Sequence, residues 1–277
     1  MITVVRTNMS QVKRMNTTQT PTQVHAKLAR LIKTGYLPIM LDNELDPLLV
    51  CEVAREAGLP AVEYTVRRRD YDVLSIIRKE FDDLLLIVGS VIDQPEVVRF
   101  VQSRRPMLSI EQLEDLGVDG LVSFLPFRDQ TYERLAGKIV LAPGMANAAA
   151  GFEHLAKGAD LIKFVGMDTN LIAAMHGATQ YTLPILLTGV TLEQVDETIK
   201  CGTLVIATSL ERSLGPERFE SLEKNRDRKA LLDRMLEYQA QIADARRRIG
   251  LVLDDLDDPV ELLSATGRYF HDWDDQS

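Results

Sequence analysis

The stretch Asp160-Leu161-Ile162-Lys163-Phe164-Val165-Gly166 is an apolar run with a single charge at its centre. Its β-branched and aromatic residues, bounded by Gly158 and Gly166, predict a strand. The run does not alternate apolar with polar positions, so both faces of that strand are covered, as in a parallel sheet. A lysine there must give up the hydration of its ammonium, which is costly. Loss of water favours the neutral form of an amine, and a neutral amine is a nucleophile toward carbonyls.

Similar runs recur along the chain, at Leu37–Leu41, Ala61–Val66, Leu84–Val91, Gly120–Phe124, Lys138–Leu141, Pro184–Thr188 and Leu204–Thr208. Helical patterns separate them, among them Leu48–Ala57, Val73–Glu80, Ile110–Leu116, Ala146–Lys157 and Leu192–Lys200. Several of these stop at a glycine, the residue that most easily takes the left-handed cap. Eight β/α units in about 180 residues predict a (β/α)8 TIM barrel. An open doubly wound sheet is the alternative, but it usually carries a Gly-rich phosphate turn after its first strand, and Pro38–Pro47 holds none.

Three domains of sequence follow. Residues 1–22 are polar and Thr-rich and read as a loosely ordered tail without the apolar core of a signal peptide. Residues 23–210 form the barrel, and residues 211–277 a helical extension with an acidic end. Residues 92–109 do not fit the regular beat and read as an extra helix or loop over the barrel mouth. In the extension, Leu231, Met235, Tyr238, Ile242, Ala245, Ile249 and Val252 repeat in steps of four and three. About three heptads of this kind suit either a helix lying on its own barrel or a contact between subunits.

The 277 residues carry a formal charge of −9, which argues against nonspecific binding to nucleic acid or an anionic membrane. No apolar run reaches the length of a membrane span. Cys51 and Cys201 are far apart and make neither a metal spacing nor a disulfide framework, so a reducing cytoplasm is the expected setting. There is no P-loop, no GxGxxG and no zinc signature, and no cofactor or metal is expected. His154 and His176 lack partners at ligand spacing and read as ordinary helix or loop residues.

Chemistry on a (β/α)8 barrel gathers at the C-terminal ends of its strands. Those ends hold Glu63, Arg67, Ser90, Pro143, Gly144, Lys163, Thr188, Gly189 and Ser209. Strand alternation puts Glu63, Thr65 and Arg67 on one face. With Lys163 facing inward, Glu63 becomes its proton partner, and a carboxylate beside a desolvated amine is what imine formation requires. Arg67 is positioned to clamp a carboxylate in two-pronged fashion, although Arg67-Arg68-Arg69-Asp70 equally suits a solvated basic loop. The alternative for Lys163 and Glu63 is a buried ion pair that only holds the barrel.

Gly58-Leu59-Pro60-Ala61-Val62-Glu63-Tyr64-Thr65-Val66-Arg67 resembles the second-strand motif of the 2-keto-3-deoxy-6-phosphogluconate and 4-hydroxy-2-oxoglutarate aldolases. The likeness continues in order through Val88-Gly89-Ser90-Val91, Leu141-Ala142-Pro143-Gly144, Gly158-Ala159-Asp160-Leu161-Ile162-Lys163-Phe164 and Leu187-Thr188-Gly189-Val190, to Ser209. The resemblance implies that Lys163 forms a Schiff base with a 2-oxo acid, with Glu63 moving protons. It implies that Arg67, Ser90, Pro143, Thr188, Gly189 and Ser209 line the substrate pocket. It further implies a metal-independent lyase of carbohydrate metabolism that releases pyruvate and assembles as a homo-oligomer, a trimer in many members. Departures sit beside these matches. The aromatic-proline wall after the lysine becomes Val165-Gly166, the turn after the fourth strand reads Ser123-Phe124-Leu125, and Val190 and Thr208 replace phosphate-cradling glycines. A smaller or unphosphorylated 2-oxo acid fits these departures better than a sugar-acid phosphate. The competing readings are a silent barrel used for binding or assembly, a 2-oxo diacid decarboxylase using the same imine, and a metal-dependent aldolase, for which no ligand set appears at the strand ends.

Overall fold

The structure, a computed structural model, describes residues 23–41, 45–66, 71–103, 107–165, 168–178, 183–214 and 228–253. The described residues form eight strands: β1 (Tyr36–Leu41), β2 (Ala61–Thr65), β3 (Leu85–Gly89), β4 (Gly120–Val122), β5 (Val140–Ala142), β6 (Ile162–Val165), β7 (Ile185–Thr188) and β8 (Val205–Ser209). All pair in parallel in the order β5-β4-β3-β2-β1-β8-β7-β6. The remaining seam, between β5 and β6, is bridged at Gly144 and Lys163, where Lys163 N donates to Pro143 O at 2.8 Å and Met145 N to Lys163 O at 3.1 Å. The sheet therefore closes on itself, and the open doubly wound alternative is overturned.

Helices α1 (Gln23–Thr34), α2 (Pro47–Glu56), α3 (Tyr71–Glu80), α4 (Pro95–Gln102), α5 (Ile110–Asp115), α6 (Asp129–Leu135), α7 (Ala148–Ala156), α8 (Thr169–Ala178), α9 (Val195–Lys200), α10 (Leu210–Leu214) and α11 (Arg228–Arg248) accompany the strands. Their starts follow local chemistry. Asp46 caps α2 with Pro47 in its first turn, Asn147 caps α7, and Ser109 with Gln112 forms a capping box on α5. Helix α1 lies against the N-terminal side of the barrel, where Lys27 Nζ donates to Asp82 O at 2.6 Å and Leu84 O at 3.0 Å and meets Asp119 at 3.7 Å. This second buried lysine, 6% exposed, is fully engaged and structural. Residues 92–109 contain α4, an additional helix with no buried residue. The polar tail expected over residues 1–22 and the acidic end of the chain lie outside the described residues.

Helix α11 answers the question its heptad posed. It packs against α9 and α2 and over β1, the place of the outer ring's eighth helix. Leu231, Met235, Tyr238, Ile242, Ala245 and Ile249 are buried there, so the stripe is consumed by the protein's own barrel and the subunit-contact reading loses its surface. Val252, assigned to the same stripe by spacing, lies past the helix end and is 65% exposed. The Tyr238 ring stacks on Tyr36 at 4.8 Å, and its hydroxyl donates to Val190 O at 3.1 Å. Arg246, also buried, donates to Lys33 O at 2.5 Å and Leu204 O at 2.6 Å. Its guanidinium crowds Gly35, whose φ of +72° and lack of a side chain the approach requires.

Candidate active site

Side-by-side residues of parallel strands point the same way, so register fixes which side chains share the barrel interior. Ile39 pairs with both Glu63 and Ser209, Thr65 with Gly89, Lys163 with Leu186 and Val165 with Thr188. The structure brings Lys163 and Glu63 together: Nζ stands 3.6 Å from Glu63 Oε1, with both residues 1% exposed. Among the described residues Nζ accordingly has an ion-pair contact but no hydrogen bond, unlike Lys27 at the opposite end. Among the described residues, Glu63 Oε2 is buried without a hydrogen-bond partner, and so is Thr188 Oγ1. Buried polar atoms left unpaired are expensive, and a polar ligand is one explanation for those beside the amine.

Two glycines shape the surroundings of this pair. A Cβ on Gly89 would stand 2.0 Å from Glu63 Oε1, so the carboxylate lies directly across the bare backbone of β3. A Cβ on Gly144 would stand 2.2 Å from the carbonyl oxygen of Phe124. That close approach fixes the turn after β4 against the end of β5, and it leads to a contact the sequence did not expose. The Phe124 ring covers Lys163 Nζ, its centroid 4.5 Å away.

The other predicted residues that the structure describes fall at the same rim. Ser90 follows β3 with φ of +60°, a left-handed conformation that is unfavourable for a serine and marks local backbone strain. Pro143 follows β5 and contributes the carbonyl that holds Lys163 N. Thr188 ends β7 and Gly189 follows it, with φ of +91° and its N–H donating to Ala207 O at 2.8 Å. Ser209 ends β8. Arg67, with its neighbours through Asp70, lies outside the described residues. An open cleft of about 450 Å³ is lined by Phe127, Arg128, Asp129 and Gln130, and neither member of the pair forms its wall. His154 and His176 are both helical and buried; His154 Nδ1 meets the Tyr132 hydroxyl at 3.0 Å.

No protein-family model matches the sequence, and no curated protein matches it. Solved structures do. A 4-hydroxy-2-oxoglutarate/2-dehydro-3-deoxyphosphogluconate aldolase from TTHB1 superposes with a TM-score of 0.59 at 20% identity, covering 78% of this chain and 98% of its own. The aldolase of Legionella pneumophila, captured with pyruvate as a covalent carbinolamine, gives 0.58 at 19% identity, covering 78% and 97%. The chain folds as these aldolases do. A thiamine phosphate pyrophosphorylase from Pyrococcus furiosus also superposes, with a TM-score of 0.54 at 14% identity over 78% and 98%. One barrel thus carries different chemistries, and the activity has to be argued from the site.

Proposed function

We propose that the chain is a class I, metal-independent aldolase that cleaves a 2-keto-4-hydroxy acid to pyruvate and an aldehyde. The observation that carries this reading is the buried amine of Lys163, 3.6 Å from a carboxylate with an unpartnered oxygen. A lysine kept only for structure is expected to have its N–H groups engaged, as those of Lys27 are.

Lys163 Nζ attacks the C2 ketone, and Glu63 passes the proton that lets the carbinolamine lose water. The resulting iminium draws electrons from C3. Glu63 then takes the C4 hydroxyl proton, directly or through a water, as the C3–C4 bond breaks and the aldehyde leaves. The enamine regains a proton at C3, and hydrolysis frees pyruvate and the amine. Ser90 and Arg67 hold the pyruvoyl carboxylate, Pro143 and Thr188 line the pocket, and Gly189 and Ser209 meet the distal end of the substrate. The unpaired Thr188 hydroxyl supports its part in this assignment. Val190 and Thr208, in place of small cradle residues, support an unphosphorylated substrate.

By resemblance the chain assembles as a homotrimer of barrels 23–210, which native mass spectrometry tests, and its two cysteines without a disulfide framework suit a reducing cytoplasm. No helix among the described residues is long and apolar enough to cross a membrane. The activity is tested by following pyruvate release from 4-hydroxy-2-oxoglutarate and from unphosphorylated 2-keto-3-deoxygluconate. Release that survives a chelator and is lost in Lys163→Ala supports the proposal; release that persists in Lys163→Ala, or that a chelator abolishes, overturns it.

A further inference from the structure

Among the described residues the ring of Phe124 stands over the Lys163 amine, and the ring's position has a steric consequence. A carbonyl carbon attacked by Nζ must come within about 3–3.5 Å of it. The ring centroid already stands 4.5 Å from Nζ, in the space from which the amine can be approached on that side. Phe124 is itself 52% exposed while Lys163 is 1% exposed, so the ring has one side on the amine and another toward solvent. Its backbone is held in place. Ser123 N donates to Ala142 O at 3.1 Å, Leu125 N donates to Ser123 Oγ at 2.9 Å, and Gly144 packs against the Phe124 carbonyl. Side-chain rotation, not loop movement, is therefore the motion left to clear the amine.

Resting on the aldolase reading above, we propose that Phe124 is a specificity-determining residue, which rotates off the amine to admit a 2-oxo acid and then packs against its distal half, favouring an apolar C4 substituent over a charged one. A ring fixed at its backbone and half in water gains by covering apolar substrate surface, and it offers a carboxylate or phosphate no donor.

The test is reductive trapping at Lys163 with borohydride, comparing 2-oxo-4-phenylbutanoate with 2-oxoglutarate in the wild type, Phe124→Ala and Phe124→Tyr. The wild type should trap the phenyl acid faster, by about fivefold to tenfold, the worth of a good ring contact. Phe124→Ala should bring the two rates together, and Phe124→Tyr should keep the preference. Unfolding curves verify that each variant is folded, which the half-exposed position favours. Equal rates in the wild type, or an undiminished preference in Phe124→Ala, would overturn the role of Phe124 and leave the lysine chemistry standing. No adduct at Lys163 with any acid, pyruvate included, would overturn the aldolase reading and this inference with it.

Discussion

Gly89→Ala is the sharpest single probe of the Glu63 carboxylate, because it adds one methyl group and little else. Gly89 is not among the residues with positive φ, so alanine is compatible with the backbone and the effect is steric. The new Cβ would lie 2.0 Å from Glu63 Oε1, whereas ordinary contact begins near 3.4 Å. The carboxylate must therefore retreat by more than roughly 1 Å, in a chamber packed like an organic solid. It stands 3.6 Å from Nζ and is 1% exposed, so it cannot step aside into water. Overpacking of this kind costs about 1–3 kcal/mol of stability, and a misplacement of about 1 Å at a reacting group costs on the order of a hundredfold in rate. The rate of borohydride trapping with pyruvate, measured beside a urea unfolding curve, separates the two effects. The expected outcome is a folded, modestly weakened protein whose trapping rate falls by about a hundredfold. A folded Gly89→Ala that traps pyruvate at the wild-type rate would refute the assignment of Glu63 as the proton carrier.

Three further outcomes follow from the same geometry. Lys163→Met leaves Glu63 buried without its cation and should cost about 3–5 kcal/mol in urea unfolding, most of which the double variant Lys163→Met/Glu63→Gln should recover. Burial pushes His176 down to about 4, so the unfolded chain binds a proton that the folded one refuses, and stability should fall as pH drops from about 6.5 toward 4. Burial also pushes Asp160 up to about 6, which acts in the opposite sense over an overlapping range; the acid loss should flatten in His176→Gln and steepen in Asp160→Asn, read from unfolding curves across that range. Tyr238→Ala removes the ring stacked on Tyr36 and should destabilise the barrel by about 3–5 kcal/mol, a loss a helix merely resting on the surface would not produce.

The barrel was legible because each strand is covered on both faces and reads as a continuous apolar run, so all eight were located, with ends one or two residues off. The extra residues assigned to β5 and β6, at Lys138 and Asp160, belong to the polar turns that feed those strands. The placement of α11 was not legible: a heptad stripe states that one face is buried but not against what. Lys27 was hidden for a related reason, since a lysine in an amphipathic helix looks solvated until the barrel end that surrounds it is assembled. The pairing of Lys163 with Glu63 could be read from strand-end positions together with the resemblance. The Phe124 contact could not, because it joins the turn after β4 to β6 across the closing seam and depends on the missing side chain of Gly144. The turn's departure from the aldolase pattern at Ser123-Phe124-Leu125 was its one trace in the sequence.

The central claim is that Lys163 is a reactive amine and not merely half of a buried ion pair. Incubation of the protein with pyruvate and sodium borohydride, followed by peptide mass spectrometry, tests it directly. Imine formation and hydride addition at C2 would leave a stable carboxyethyl group on Lys163, absent in Lys163→Ala and reduced in Glu63→Gln. A folded protein that carries no adduct at Lys163, or carries it only on exposed lysines, would contradict the account.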